Sequence, residues 1–264
     1  MYPFDLTRPK TIADAVAALA DEDAQALGGG QTLLPTMKAR LAQMDRLVAL
    51  SGIPEIRGIC RDDAGRVCIG GGTPHAEVAR GCVDSYPALA ALAGRIGDPA
   101  VRTRGTIGGS LANNDPSACY PAAVLASDAT VVTNAREIAA DDFFDGMFAT
   151  DLEEGEIITE VRFPVPQAAA YEKFLQPASR FALVGVYVAR FTDGVRVAVT
   201  GASGDGVFRW SEAEDALSSD FSAAALSGLA DLDAEEMISD VHGSGTYRAH
   251  LVRVMTARAV AAAS

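Results

Sequence analysis

Basic residues are scarce in this chain: 22 Lys and Arg stand against 35 Asp and Glu, a formal net charge of −13. That balance excludes nucleic acid and anionic membranes as natural partners, because both select basic faces. Cysteine is sparse too, and Cys60, Cys68, Cys82 and Cys119 show no C-x-x-C spacing. They read as reduced thiols of a cytoplasmic protein rather than as a zinc or iron–sulfur site. The histidines His75, His242 and His250 have no ligand spacing, so each is expected to cap a helix or sit on the surface. A G-x-S-x-G elbow, a P-loop and a G-x-G-x-x-G fingerprint are all missing, and no titratable cluster forms an acid–base pair. No apolar run is long enough to span a bilayer, and MYPFDLTRPK lacks the apolar core of a signal peptide. The expected compartment is the cytoplasm.

What the chain does have is glycine in clusters. One is LGGGQTLLP, Leu27 to Pro35; the other lies in RTRGTIGGSLANNDPSACY, Arg102 to Tyr120. Glycines let backbone amides approach a ligand with no Cβ in the way, and successive bare amides form a concave anion site. Each cluster alone also fits a tight turn or a Gly- and Asn-rich surface loop. Two phosphate-sized cradles in one chain suggest a ligand with two linked phosphates. With no side-chain acid–base pair, the chemistry is then expected to reside in a bound cofactor.

At 264 residues, 49% of them hydrophobic, the chain has material for two or three compact units. Thr11 followed by Asp14 predicts a helix start with Ile12, Val16 and Leu19 on one face. Short strands are expected at 24–27 and 47–50, a helix at 36–42, and a first lobe ending near Ser51-Gly52. A strand at 67–69 then leads into Gly70-Gly71-Gly72, followed by helices at 75–80 and 86–96. Asp115-Pro116 reads as N-cap and first residue of a helix running to Ala126. Strands follow at 129–132 and 157–163. Pro164-Val165-Pro166 is the predicted domain boundary, giving 1–166 (lobes about 1–52 and 53–166) and 167–264. Beyond it, strands at 171–175, 182–190 and 195–200 form neighbours, the last two joined at Thr192-Asp193-Gly194. The acidic stretch 201–240 reads as a solvated helical surface, and 247–261 as a terminal helix.

LGGGQTLLP, IGGGTPHAEVA and above all IGDPAVRTRGTIGGSLANNDP resemble the FAD-binding medium subunit of the molybdenum hydroxylases. The carbon monoxide dehydrogenase type is the nearer form, and the xanthine dehydrogenase flavin domain is a relative. YEKFLQPASRFALVGVYVA and TYRAHLVRVMTARAV extend the resemblance through the C-terminal part. It implies an α+β fold: a two-lobed FAD-binding domain of the vanillyl-alcohol-oxidase/xanthine-dehydrogenase flavin type, then a small C-terminal domain with an antiparallel sheet and helices. In that family two glycine loops hold the FAD pyrophosphate. By the resemblance these are Gly28, Gly29, Gly30, Gln31, Thr32, Leu33 and Leu34, and Thr106, Ile107, Gly108, Gly109 and Ser110. Asn114 and Asp115 are expected to reach the ribityl or phosphate region. Ile96 and Ile158 match apolar positions beside the flavin, Lys173 a lysine near the cofactor, and Phe181 a residue covering one ring face. Many relatives carry Asp where this chain has Cys119.

The implied activity is electron transfer with no catalytic residue on this chain. A large subunit would hold the molybdenum cofactor, and a small subunit two [2Fe–2S] clusters, as a dimer of heterotrimers. FAD on this chain would pass the electrons to an outside acceptor. Two other readings stay open at this level: a self-contained flavin oxidase, and a nucleotide-binding assembly module without redox activity.

Overall fold

The computed structural model describes residues 1–21 and 23–263, and the elements below lie within them. The chain opens with β1 (Asp5–Thr7), α1 (Ile12–Leu19), β2 (Ala24–Leu27), α2 (Leu33–Lys38) and β3 (Arg46–Ala49). The Thr11 hydroxyl accepts from the Asp14 amide at 3.1 Å, the predicted cap. β3 lies between β1 and β2, parallel to both. Ala15 and Leu19 are buried with Val48, Ile53, Ile56 and Ile157. α2 begins earlier than the expected 36–42. Pro35 falls in its first turn, where the missing amide would have had no partner in the helix anyway.

Next come β4 (Ile59–Arg61), β5 (Val67–Gly70), α3 (His75–Gly81), α4 (Pro87–Gly94), α5 (Pro99–Arg104) and α6 (Ile107–Asn113). They are followed by α7 (Tyr120–Ala126), β6 (Thr130–Thr133), β7 (Glu137–Ala139), α8 (Ala140–Phe143) and β8 (Ile158–Phe163). The strands form one antiparallel sheet in the order β4-β5-β8-β6-β7. Its inner face, Val67, Ile69, Val131, Val161 and Phe163, packs with Leu89 and Leu92 of α4 and with α7.

The helix expected from Pro116 starts only at Tyr120. The Asp115 carboxylate accepts from the Ser117 amide at 2.8 Å, and the Asp115 carbonyl accepts from Ala118. The Pro116 carbonyl is taken by the Gly201 amide and the Thr200 hydroxyl, both at 2.7 Å. A side-chain-to-backbone turn has outcompeted the helix there.

After Pro166 the chain forms β9 (Ala168–Leu175), β10 (Ala182–Arg190), β11 (Val195–Ser203) and β12 (Gly206–Arg209), an antiparallel sheet in the order β12-β11-β10-β9. α9 (Ser211–Ser219) and α10 (Gly245–Ala263) complete it. One face of this sheet, including Val184, Val186 and Val199, meets Leu251, Val252, Met255 and Ala259 of α10. From the other face, Tyr171, Tyr187, Ala189 and Ala198 join the cluster around α7. Covered on both sides, β10 is buried from Ala182 to Ala189, which explains its unbroken apolar sequence.

The acidic stretch is less uniform than its composition suggests. It holds β12, α9 and two 3₁₀ turns, Ala223–Gly228 and Ala234–Glu236. Glu214 is buried, accepting from the Val197 amide at 2.9 Å and from Arg209. Its charge fixes α9 to the sheet and is not a solvated one.

Candidate functional site

A cavity of about 720 Å³ opens between the N-terminal lobe, α6, the start of β8 and the β9–β10 connection. Its first wall is the loop from Gly28 to Leu33, which leaves β2 and enters α2. Gly29 lies against the backbone of Arg104 and Gly105, and a Cβ there would collide with the Arg104 carbonyl. Gly30 has φ +68°, with Leu34 packed beneath it. Among the described residues, the amides of Gly29, Gly30, Gln31 and Thr32 donate to no protein group. They are the bare amides the glycine pattern predicts.

The second glycine stretch is built differently from the expected matching cradle. It is the first turn of α6, and its amides already have partners. Ile107 donates to the Thr73 carbonyl at 3.2 Å, Gly108 to Gly71 at 2.8 Å and Ser110 to Thr106 at 3.0 Å. The Gly109 amide donates to the Thr106 hydroxyl at 3.1 Å. Gly108 is glycine because a Cβ would stand 2.7 Å from the Gly71 carbonyl oxygen. This stretch gives the cavity short polar side chains, Thr106, Ser110, Asn113, Asp115 and Ser117, rather than a second set of free amides.

The apolar side chains in the cavity wall include Ile96, Leu152, Ile157, Ile158 and Phe181. Phe181 follows two residues with left-handed backbone, Ser179 (φ +59°) and Arg180 (φ +64°). Its ring meets His242 edge-on at 5.4 Å, and the His242 Nδ1 lies 2.6 Å from Gln176 Nε2. The Lys173 ammonium is buried at the cavity edge. It donates to the carbonyls of Arg95 (2.8 Å) and Arg180 (3.0 Å) and faces the Cys119 sulfur at 3.5 Å.

Most of the residues expected at the site therefore line this one cavity; Leu34, Ile107 and Asn114 stand behind its wall. Ile107 is in the core. Asn114 is buried with φ +38°, and its Nδ2 donates to the carbonyls of Gly146 and Ala149 at 2.8 and 2.7 Å. Gly71, Gly72 and His75 are among the lining residues that were not anticipated. Gly71 and Gly72 come from the third glycine run, visible in the sequence but assigned no role. His75, expected at a cap or on the surface, is buried beside Tyr120, with Nδ1 unpartnered. Burial, then the nearby Arg102 charge, lowers its pKa to about 4, so it is neutral near pH 7. No sequence pattern marked it. His242 and His250 are exposed, as expected.

These walls suit a dinucleotide. The volume is in the range of small-molecule sites, and the wall offers bare amides and hydroxyls together with apolar side chains, the Phe181 ring among them. The glycine contacts show that the loops must touch closely to form it.

Similarity to known proteins agrees. Residues 2–166 match the family model described as the FAD binding domain in molybdopterin dehydrogenase. The carbon monoxide dehydrogenase medium chain of Hydrogenophaga pseudoflava is 34% identical, over 98% of this chain and 96% of that one. The nicotine 6-hydroxylase medium subunit of Paenarthrobacter nicotinovorans is 35% identical, over 96% of this chain and 94% of its own length. Among solved structures, reconstituted CO dehydrogenase from Oligotropha carboxidovorans superimposes with a TM-score of 0.90 at 33% identity, covering 100% of this chain and 99% of that one. Glycine loops, cavity and sequence together make this chain a member of the family of FAD-binding domains of molybdopterin dehydrogenases, an oxidoreductase flavoprotein of the medium-subunit type.

Proposed function

We propose that this chain is the electron-transfer subunit of a cytoplasmic three-subunit molybdenum hydroxylase. A small partner would deliver electrons from [2Fe–2S] clusters, and a large partner would oxidise the substrate at a molybdenum cofactor. This chain would pass the electrons to an external acceptor, in a dimer of heterotrimers. Residues 1–166 would carry the cofactor, and 167–264 would close the cavity through Lys173 and Phe181. No helix among the described residues is long and apolar enough to cross a membrane.

The observation that carries this reading is a single cavity lined both by bare amides and hydroxyls and by apolar side chains, without a free acid–base pair. Bound FAD would supply the redox chemistry. The amides of Gly29 to Thr32 and the hydroxyls of Thr106 and Ser110 would hold its diphosphate. Ile96, Ile158 and Phe181 would bracket its ring and exclude water. Lys173 and Glu156 are engaged with the protein itself: Glu156 pairs with Arg136, the Thr133 hydroxyl and the Glu153 amide. Burial lowers the His75 pKa to about 4, which makes it a weak base near pH 7. None of these groups is poised to take a proton from a substrate.

The test is purification of the native protein under reducing conditions. The expected result is one FAD per chain, two co-purifying polypeptides, and molybdenum and iron in the assembly. A chain that oxidises a small organic molecule alone, or that takes up no flavin, overturns the proposal.

A further inference from the structure

The sequence spacing of Cys60 and Cys68 suggests nothing, but the hairpin register does. β4 and β5 pair antiparallel with Cys60 directly opposite Cys68. On the other side of β5, Gly70 is opposite Glu160 and Cys68 opposite Arg162 of β8. Side chains alternate along a strand, so Cys60, Cys68, Glu160 and Arg162 share one face of the sheet. Val67, Ile69, Val161 and Phe163 occupy the core face. The sulfurs of Cys60 and Cys68 and a carboxylate oxygen of Glu160 all lie within 4.8 Å of one another. None of the three lines the cofactor cavity.

We propose that Cys60, Cys68 and Glu160 form a zinc(II) site on this face of the sheet, with water as the fourth ligand. Two thiolates and a carboxylate are a donor set that selects a borderline-soft divalent cation over magnesium or calcium. Metal–ligand lengths of about 2.0–2.3 Å place tetrahedral donors roughly 3.5–3.8 Å apart. The three donors need close by only about an ångström, within reach of side-chain rotation. Cys68 is buried, Glu160 is half-buried and Cys60 is exposed, which leaves an entry path beside Cys60.

Glu160 is already oriented: its Oε1 accepts from Arg162 Nε at 2.6 Å, so its other oxygen can turn to a metal. The Arg162 charge opposes a cation, but it is shared with Glu137 at 2.5 Å. The Asp62 carboxylate is itself paired with Arg66 at 2.6 Å. A bound ion would join β4, a three-residue edge strand, to β5 and β8.

The test is titration of the full-length FAD-loaded chain, thiols reduced, with cobalt(II), followed by displacement with zinc(II). A thiolate-to-cobalt charge-transfer band saturating at one ion per chain is expected. Cys60→Ser, at an exposed position, should abolish the band. Glu160→Gln should weaken binding about 10-fold or more. Absence of the band, its survival in Cys60→Ser, or unchanged affinity in Glu160→Gln overturns the proposal. So does a Cys60–Cys68 disulfide in protein whose reduced form takes up no cobalt.

Discussion

The Lys173 Nζ lies 3.5 Å from the Cys119 sulfur, across 54 positions of sequence. With its bonds to the Arg95 and Arg180 carbonyls, this ammonium ties α4, β9 and the turn before Phe181 into one corner. Lys173→Met removes two charge-assisted hydrogen bonds to part-buried carbonyls, at about 1.5–3 kcal/mol each. The expected result is a lower denaturation midpoint together with weaker FAD binding, measured by urea unfolding and flavin fluorescence. Cys119→Asp gives the same ammonium a carboxylate partner. It is expected to raise the unfolding free energy by about 1 kcal/mol or more, and to lose that gain when Lys173→Met is added.

Gly29 and Gly28 make a matched pair. A Cβ on Gly29 meets the Arg104 backbone, which cannot move aside without dragging α5. A Cβ on Gly28 meets the Thr106 hydroxyl at 3.0 Å, the end of a side chain. Gly29→Ala is expected to weaken FAD binding about tenfold or more and to destabilise by roughly 1–3 kcal/mol. Gly28→Ala should do much less. Equal effects would mean that the backbone approach does not shape the site.

Thr106 caps α6 through the Gly109 amide. Thr106→Ala should cost about 1 kcal/mol of stability, and Thr106→Ser should restore most of it, as read by chemical denaturation. If the hydroxyl also serves the cofactor, the alanine variant loses FAD affinity as well and the serine variant keeps it.

His75 gives a pH dependence of definite sign. Its pKa is about 4 in the folded chain and about 6.5 when exposed, so the unfolded chain binds the extra proton between those values. Stability from this group is therefore complete above pH 6.5 and is lost as pH falls toward 4, by roughly 3 kcal/mol in all. Unfolding measured across that window should show a steeper acid loss in the native chain than in His75→Gln.

The parts of the fold legible in the sequence were those coded locally. The Thr11 cap, the Thr192-Asp193-Gly194 hairpin and the bare amides after Leu27 each depend on neighbours within a few residues. The parts that were not legible depend on distant partners. The Asp115-Pro116 turn follows from Thr200 and Gly201 claiming the Pro116 carbonyl, and nothing near Pro116 announces them. Gly108 and Gly109 looked like an open cradle, but Thr73 and Gly71 occupy the amides around them. His75 lies inside because α3 packs beside α5, and the Cys60–Cys68 pair exists only through strand register. In the same way Ile96, Ile158, Lys173 and Phe181 reach one cavity from separate elements, and only a family resemblance could join them beforehand.

The family match stops at residue 166, yet α7 is buried along its whole length and its surroundings include Tyr187 and Ala198 from beyond that point. A fragment cut after Pro166 would therefore carry an apolar wound where β10 and β11 had been. Any attempt to transplant the flavin half onto another scaffold must bring those two strands along or resurface the helix they shield.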